Sequence, residues 1–316
     1  MQPHNKTELL DIGRRIYPKV NNHIFSRDAF VENACDLCGS NRKKPVLLEN
    51  EATLCRCLDC GLYYVSPRPS DKALAAYYEK YYDASEEEIA WWRFTTSKKF
   101  VVAAKFINKY APTTRNCLDI GSGYGFFLQE LNSQHAWQSC LGIDLDPRGV
   151  AYANACSEFP NVAYRNISVN DPTLEADSFD AISAQALLEH VVSPRQMLSR
   201  IYTLLKTNGI IYLTVPCEQV WIWLKHWIPA IPFRAMIPLH LYNFTRPTLE
   251  RYFNSTGFFV EYVGITPSVR HADAMTHAVV QTSKWLAKIL GGMTLGRWQS
   301  SIGGGLIVVG RKKERS

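Results

Sequence analysis

Two groups of residues in this 316-residue chain have the types and spacing to do chemistry. The first is a set of thiols. Cys35-x-x-Cys38 is separated by eighteen residues from Cys57-x-x-Cys60-Gly61, with Cys55 alongside. Two such pairs at this separation can supply four thiolates to a closed, tetrahedral Zn2+ site of the structural kind. Cys55 could replace Cys57 as a ligand, but only Cys57 makes the tight pair with Cys60. Cys117, Cys140, Cys156 and Cys217 lie on or beside expected core elements and read as buried thiols. The second group is Cys117-Leu-Asp119-Ile-Gly121-Ser-Gly123-Tyr-Gly125-Phe-Phe. It reads as a short apolar strand, a loop with glycine at every second position, and a helix running from Phe126 to Leu131. Such glycines allow positive φ and a close approach of backbone to ligand. The helix N-terminus adds unpaired N–H groups that favour a carboxylate or phosphate. A dinucleotide-binding turn has glycine at its first, third and sixth positions, whereas Phe126 occupies the sixth here, so the spacing argues against NAD chemistry.

The elements that must hold this loop follow in order. Leu141-Gly-Ile-Asp144-Leu145-Asp146-Pro147 is an apolar strand ending in a carboxylate, and an acid there accepts hydrogen bonds from ribose hydroxyls in nucleoside-binding α/β folds. Val162–Tyr164 and Phe179–Gln185 are the next strands, the latter running into Ala186-Leu-Leu-Glu189-His190-Val191. A helix from Pro194 to Leu205, Asn208-Gly209 as its stop, and a strand from Ile210 to Pro216 come next. This alternation predicts an α/β fold with a doubly wound parallel sheet.

The acidic-x-Gly-x-Gly-x-Gly loop, Asp144 and the Leu-Glu-His-Val segment together resemble the class I S-adenosylmethionine-dependent methyltransferases, over roughly residues 112–312. The resemblance implies a Rossmann-like seven-stranded methyltransferase core carrying a small N-terminal zinc ribbon, similar to the ribbon-bearing sugar and small-molecule methyltransferases. It implies S-adenosyl-L-methionine held by Asp119, Gly121, Gly123 and Gly125 at the methionine end and by Asp144 at the ribose. Leu145 would lie beside the adenine, and Gln185 is counted with this set. The chain departs from the family in having Ile167-Ser168 where many relatives carry Gly-Asp, so no acid is expected on the adenine amino group. Methyl transfer is an in-line displacement that needs alignment and exclusion of water, and a hydroxyl or acidic carbon acceptor also needs a base. His190 and Glu189, at the end of the fourth strand, and His240 are the candidates. His240 matches a histidine that, in ribbon-bearing sugar carbon-methyltransferases, precedes a Phe-Ser/Thr segment near the acceptor. Many relatives keep the Glu-His pair to shape the cofactor pocket, and a shaping role is the preferred one for Glu189.

The organisation expected is an N-terminal extension (1–30), the ribbon (31–68), a helical connector (69–111) and the core (112–316). The ribbon carries five basic and five acidic side chains, a poor start for a nucleic-acid reader. The formal charge of +6 is matched by residues 270–316 alone, and a basic end there suits a phosphorylated substrate or an anionic surface. Tyr77, Tyr78, Tyr81, Tyr82, Trp91 and Trp92 in the connector are expected to dock the ribbon or to help close over the ligands. Residues 219–244, rich in Trp and Pro, are expected to form an apolar lid suited to a lipid-linked or otherwise apolar acceptor, with peripheral membrane contact as a further expectation. Three prolines, Lys225 and Arg234 argue against a spanning helix. Reduced cysteines and the absence of an apolar run near Met1 predict a cytoplasmic protein, with a peripheral place at the inner face of the membrane as a further expectation. The first reading is therefore methyl transfer to a small-molecule acceptor: a sugar, a nucleotide-linked sugar or a lipid-linked glycan. An RNA methyltransferase guided by the ribbon and a non-catalytic S-adenosylmethionine-binding module are the alternatives. Enzymes that methylate base amino groups usually carry an Asp/Asn-Pro-Pro-aromatic segment after the fourth strand, where this chain has Gln185-Ala-Leu-Leu-Glu189-His190, and Cys217 does not sit in the sequence context of a cytosine-C5 nucleophile.

Overall fold

The computed structural model describes residues 25–81, 84–111, 115–228, 235–266 and 305–314, with the single positions Thr282 and Trp285. Its N-terminal module contains β1 (Phe30–Val31), β2 (Lys43–Glu49), β3 (Ala52–Cys57), β4 (Tyr63–Val65) and β5 (Arg68–Pro69). Strands β2, β3 and β4 form an antiparallel meander, and β1 pairs with β5. The β2–β3 hairpin turns through Asn50 and Glu51, both at positive φ, the conformation that matches the twist of a two-residue hairpin loop.

The connector is helical, as α1 (Asp71–Tyr81) and α2 (Glu86–Tyr110). The acidic run at Glu86–Glu88 is the first turn of α2: Ser85 and Glu88 form a reciprocal capping box, and the carboxylates face the positive end of the helix.

The core then alternates β6 (Asn116–Ile120), α3 (Phe126–Gln134), β7 (Ser139–Ile143), α4 (Pro147–Ala155), β8 (Val162–Arg165), β9 (Phe179–Gln185), α5 (Pro194–Leu204) and β10 (Leu205–Pro216). It closes with α6 (Gln219–Trp227), β11 (Tyr242–Asn243), α7 (Arg246–Ser255), β12 (Phe258–Ile265) and β13 (Gly305–Lys312). Seven strands form one sheet in the order β12-β13-β10-β9-β6-β7-β8. Strand β13 runs antiparallel to both β10 and β12, and the pairings from β10 to β8 are parallel. The fold class is thus the mixed α/β sheet expected. The chain winds outward from β6 to β8 and then returns to β9 on the other side of β6, so the carboxyl ends of β6 and β9 flank a topological switch point, where open α/β sheets bind ligands. Apolar layers cover both faces. One includes Ile107, Phe127, Leu128, Leu131 and Trp137; the other includes Leu118, Ile182, Leu198, Ile201, Leu213 and Phe253.

Two details differ from the sequence reading. Asn208-Gly209 does not stop a helix: α5 ends at Leu204, and Asn208, at φ +65°, lies within β10 where its register against β9 shifts between Leu205 and Ile210. The turn preference is kept as an irregularity between Leu205 and Ile210, and ladder pairing on both edges of β10 resumes at Ile210. Cys156 is exposed because α4 ends at Ala155 and buries Gly149, Val150 and Ala153 instead. Cys117, Cys140 and Cys217 are buried.

The segment 219–244 is described except for 229–234. Its helix α6 packs on the N-terminal module, with Ile222 among Ala52, Leu54 and Val65. Strand β11 pairs antiparallel with β4, Tyr242 opposite Tyr64 and Asn243 opposite Tyr63, so the chain after strand β10 completes the module's sheet. Residues 270–304 of the basic C-terminal stretch lie outside the described residues except for Thr282 and Trp285, as do 1–24.

Candidate active site and thiol cluster

The glycine loop follows β6 with Gly121, Gly123 and Gly125 all at positive φ (75°, 49° and 80°). A Cβ on Gly125 would stand 2.7 Å from the Tyr164 ring, so only glycine fits there. Above Gly123 the space is open: among the described residues, its two chain neighbours aside, nothing lies within 4 Å of where a Cβ would stand. Asp144 braces the loop. Its Oδ2 accepts from the Gly123 N–H at 2.8 Å and its Oδ1 from the Asp146 N–H at 3.0 Å. Burial pushes its pKa up, against these two N–H groups. With the Leu145 N–H also bonded to it, the carboxylate keeps one lone pair for a ligand hydroxyl. Leu145, next in the chain, is 71% exposed and offers an apolar surface beside it. Asp119 is 3% exposed and sits opposite Ser183 in the β6–β9 pairing. Burial raises it to about 8, the Asp144 charge adds to this, and a hydrogen bond from Ser183 opposes it. Gln185 donates through Nε2 to Ser183 Oγ at 3.1 Å, linking the end of β9 to Asp119. A groove of about 220 Å³ opens beside the loop, lined by Ile89, Ala90, Arg93, Phe94, Phe126 and Tyr152.

The second constellation begins where β9 ends. Ala186, at φ +50°, turns the chain, its N–H bonded to the Thr214 carbonyl and side-chain oxygens. The turn presents Glu189 and His190, and the segment leading into β11 brings His240 against them. The two imidazoles meet edge to face at 4.9 Å, and Glu189, His190 and His240 each offer one ligand atom within 4.8 Å of the others. His190 Nδ1 lies 3.1 Å from both the Leu239 carbonyl and the Tyr78 hydroxyl of α1. A carbonyl can only accept, so Nδ1 carries the hydrogen and Nε2 keeps its lone pair. Burial lowers His190 to about 4 and His240 well below its ordinary value, with His190 adding to the effect on His240, so both rings are neutral at physiological pH. Burial raises Glu189 to about 8, against the charge of Lys99. Glu218 is also raised to about 8, by burial and by Glu189. Glu189 Oε2 and His240 Nδ1 are buried and have no hydrogen-bond partner among the described residues. Neutral bases and an orphaned carboxyl oxygen on one wall can take a proton from a hydroxyl or receive a donor from a ligand.

These groups carry a prediction for stability. Asp119, Glu189 and Glu218 titrate near 8 when folded and near 4 when unfolded, so the folded state holds more protons over that interval and these groups lose stability as pH rises through it. The lowered histidines act oppositely, but only below their unfolded value of 6.5. The melting temperature of the ligand-free protein is therefore expected to fall between pH 6.5 and 8.5. A calorimetric series showing it flat or rising would contradict the burial of these carboxyls.

The four thiols converge as well. Cys35 Sγ lies 3.4 Å from Cys60 Sγ and Cys38 Sγ 3.6 Å from Cys57 Sγ, and all four sulfurs lie within 4.8 Å of one another. Both pairs close in the same way: the N–H of Gly39 bonds to the Cys35 carbonyl and that of Gly61 to the Cys57 carbonyl, with both glycines at positive φ. The symmetry of Cys-x-x-Cys-Gly at both sites was a readable signal. Burial pushes Cys35 up, and Cys60 up to about 11. At Cys57 burial acts in the same direction, but the N–H groups of Cys60 and Asp59 outweigh it and hold the thiol at about 7. Cys55 is outside the cluster, its Sγ donating to the Ser66 carbonyl at 3.5 Å.

The structure thus brings Asp119, Gly121, Gly123, Gly125, Asp144, Leu145 and Gln185 around one loop, and Glu189, His190 and His240 into one cluster. It adds Ser183, Lys99, Glu218 and Arg93, which sequence reasoning missed. Ser183 had a signal in its parallel-strand position opposite Asp119; the other three reach the site only through packing.

Residues 93–263, more than half of the chain, match the family described as "Methyltransferase domain". The chain is similar to the ubiquinone biosynthesis O-methyltransferases of Histophilus somni (28% identical; 32% of this chain, 45% of the relative) and Nitrosococcus oceani (34% identical; 32% and 43%). The matched segments span about half the length of these curated relatives. Among solved structures it is similar to the YcgJ protein from Bacillus subtilis (16% identical; 69% of this chain, 100% of the other; TM-score 0.49). It is similar also to a SAM-dependent methyltransferase from Methanosarcina mazei (18%; 66% and 98%; TM-score 0.48).

Proposed function

Because this chain belongs to the methyltransferase-domain family, we propose that it transfers the methyl group of S-adenosylmethionine to a hydroxyl of a small-molecule acceptor. The observation that carries this reading is the loop at the switch point: three glycines at positive φ, open space over Gly123, and Asp144 held at the end of β7 with a lone pair to spare. S-adenosylmethionine supplies an electrophilic methyl group on a sulfonium. The chain's own residues do the rest. The Gly121–Gly125 backbone and Asp119 would receive the methionine end, Asp144 the ribose, and Leu145 the apolar base. Asp119 would ionise as it meets the ligand's ammonium. On the acceptor side, Nε2 of His190 has its lone pair available, His240 Nδ1 has no partner among the described residues, and either can take the hydroxyl proton. Glu189 would orient the acceptor. An oxygen acceptor is supported by these neutral bases and by the relatives' name, O-methyltransferase. A sugar, nucleotide-sugar or lipid-linked glycan is the acceptor class that the sequence reading favours.

The four thiols fit structural Zn2+. A Zn–S bond of about 2.3 Å at tetrahedral angles separates sulfurs by about 3.8 Å, close to the spacings seen. Peripheral membrane contact belongs to the same reading. Trp223 and Trp227, one turn apart on α6, are 62% and 68% exposed beside Ile228, and Leu48 of the neighbouring β2 is 72% exposed. No helix among the described residues is long and apolar enough to cross a membrane.

The test is calorimetric titration of the zinc-loaded protein with S-adenosylmethionine, followed by labelled methyl transfer to nucleotide sugars, lipid-linked glycans and catechols. Micromolar binding is expected, and His190→Gln and His240→Gln are expected to keep it while lowering transfer roughly 10²- to 10⁴-fold. No binding by the intact protein would overturn the enzyme and leave the fold as a scaffold.

A further inference from the structure

We infer that Asp36, inside the first thiol pair, is a positioning residue that ties the metal state of the N-terminal module to the geometry of Glu189 and His190. This rests on the reading of those two residues as acceptor-side groups and of the thiols as a metal site. Asp36 lies between Cys35 and Cys38, yet its carboxylate is spent on the core. Its Oδ1 accepts from Ser193 Oγ at 2.6 Å; its Oδ2 accepts from the Arg195 N–H and the Tyr252 hydroxyl, both at 3.0 Å. Arg195 returns the contact, donating through Nε to the Asp36 carbonyl at 3.3 Å and through Nη2 to the Leu37 carbonyl. Ser193 is the N-cap of α5, and the Arg195 N–H is one of the first-turn donors that a helix cannot satisfy itself. Asp36 therefore caps a core helix from within the thiol pair, with its negative charge at the positive end of the helix dipole.

That cap fixes one end of the stretch 189–195. The other end is held by the same module along a second route. The Leu241 N–H donates to the Glu189 carbonyl at 2.7 Å, and the Val65 N–H of β4 donates to the Leu241 carbonyl at 2.8 Å. The Tyr242 hydroxyl donates to the Val192 carbonyl at 2.8 Å, and Leu239 supplies the carbonyl that sets the tautomer of His190. The first thiol pair thus feeds Asp36, and the second, through Leu62 and β4, feeds β11. Glu189 and His190 stand between two struts that both start at the four-thiol cluster, so closing the cluster on a metal sets their position.

The experiment uses the full chain, with Asp36→Asn, Asp36→Ala and Asp36→Glu beside the wild type, each zinc-loaded and zinc-stripped. Three quantities are read: zinc per chain, affinity for S-adenosylmethionine, and the ring-nitrogen resonances of His190 and His240, identified by His190→Gln and His240→Gln. Zinc-loaded Asp36→Asn is expected to keep its metal and its affinity for S-adenosylmethionine, but to lose the single-tautomer pattern of His190. Stripping zinc from the wild type should move the same resonances the same way, and stripping it from Asp36→Asn should move them by less than in the wild type, through the β4–β11 route that remains. Asp36→Glu is expected to recover part of the wild-type pattern. Should Asp36→Asn fail to fold, Ser193→Ala, which removes one bond from the cap and leaves the thiol pair intact, is expected to give a smaller change of the same kind. Histidine signals indifferent to both Asp36→Asn and metal, or equal responses to stripping in both proteins, would overturn the inference. A wild type that binds no S-adenosylmethionine would instead sink the proposed function, with the histidine signals still deciding this coupling.

Discussion

Asp144→Ala is expected to weaken S-adenosylmethionine binding by about a hundredfold or more. The carboxylate has two tasks. It accepts the Gly123 N–H at 2.8 Å and the Asp146 N–H at 3.0 Å, which holds the glycine loop against the end of β7, and it offers its remaining lone pair to the ribose. Hydrogen bonds to a charged group contribute about 1.5–3 kcal/mol each. Losing the ligand bond and the brace together therefore reaches roughly 3 kcal/mol, and each 1.4 kcal/mol is a factor of about ten in affinity. Asp144→Asn keeps the shape but can turn only one acceptor oxygen to these donors, and should fall between the two. Gly121→Val makes an independent control on the loop: its φ of +75° disfavours any side chain, and the new Cβ would lie 3.2 Å from Leu187. Calorimetric titration reads all three. Affinity for Asp144→Ala within about threefold of wild type would remove this carboxylate from the ligand site.

The second large effect belongs to the thiols. Cys57→Ser is expected to take zinc from one ion per chain to none and to lower the melting temperature by roughly 10 °C, a loss of several kcal/mol for a chain of this size. Four thiolates within 4.8 Å of one another repel unless a cation joins them, and a structural zinc contributes its binding free energy directly to folding. The loss should spread beyond the module, because β11 pairs with β4 and α6 packs on the same sheet. Cys55→Ser supplies the contrast. Its Sγ faces the Ser66 carbonyl outside the cluster, so metal content should stay at the wild-type value. Loss of zinc in Cys55→Ser with retention in Cys57→Ser would reverse the ligand assignment.

Much of the fold was legible because it is written in local patterns. The strands at 179–185 and 162–165 and the helix opening at Phe126 have apolar periods and flanking breakers that no tertiary contact needs to supply. The Asn208-Gly209 turn signal misled because the turn is an irregularity inside β10, whose pairing with β9 and β13 resumes at Ile210. Cys156 misled because a helix end, and not its apolar neighbours, decides which way that side chain faces. The aromatic segment at 75–82 offered two roles, and the packing adds a definite contact, Tyr78 on the ring nitrogen of His190. The expected lid turned out to share its helix and its following strand with the N-terminal module, since Ile222 and Tyr242 find their apolar and ladder partners there.

The sequence by itself determined the glycine loop, the acid after β7, the Cys-x-x-Cys pairs and the alternation that builds a parallel sheet. Each depends on residues close in the chain, where backbone conformation and hydrophobic period act directly. Only the tertiary structure decided what surrounds them. His240 reaches His190 across fifty residues, Lys99 opposes the rise at Glu189 while Glu189 adds to that of Glu218, and Asp36 caps a helix more than a hundred and fifty residues away. Such contacts are selected by how two separately formed surfaces bury their polar groups against each other, and an unpaired donor or acceptor costs too much to leave unmatched there. The pKa values follow from that burial, which is why residues that look ordinary in the chain become neutral histidines and protonated acids in the folded molecule.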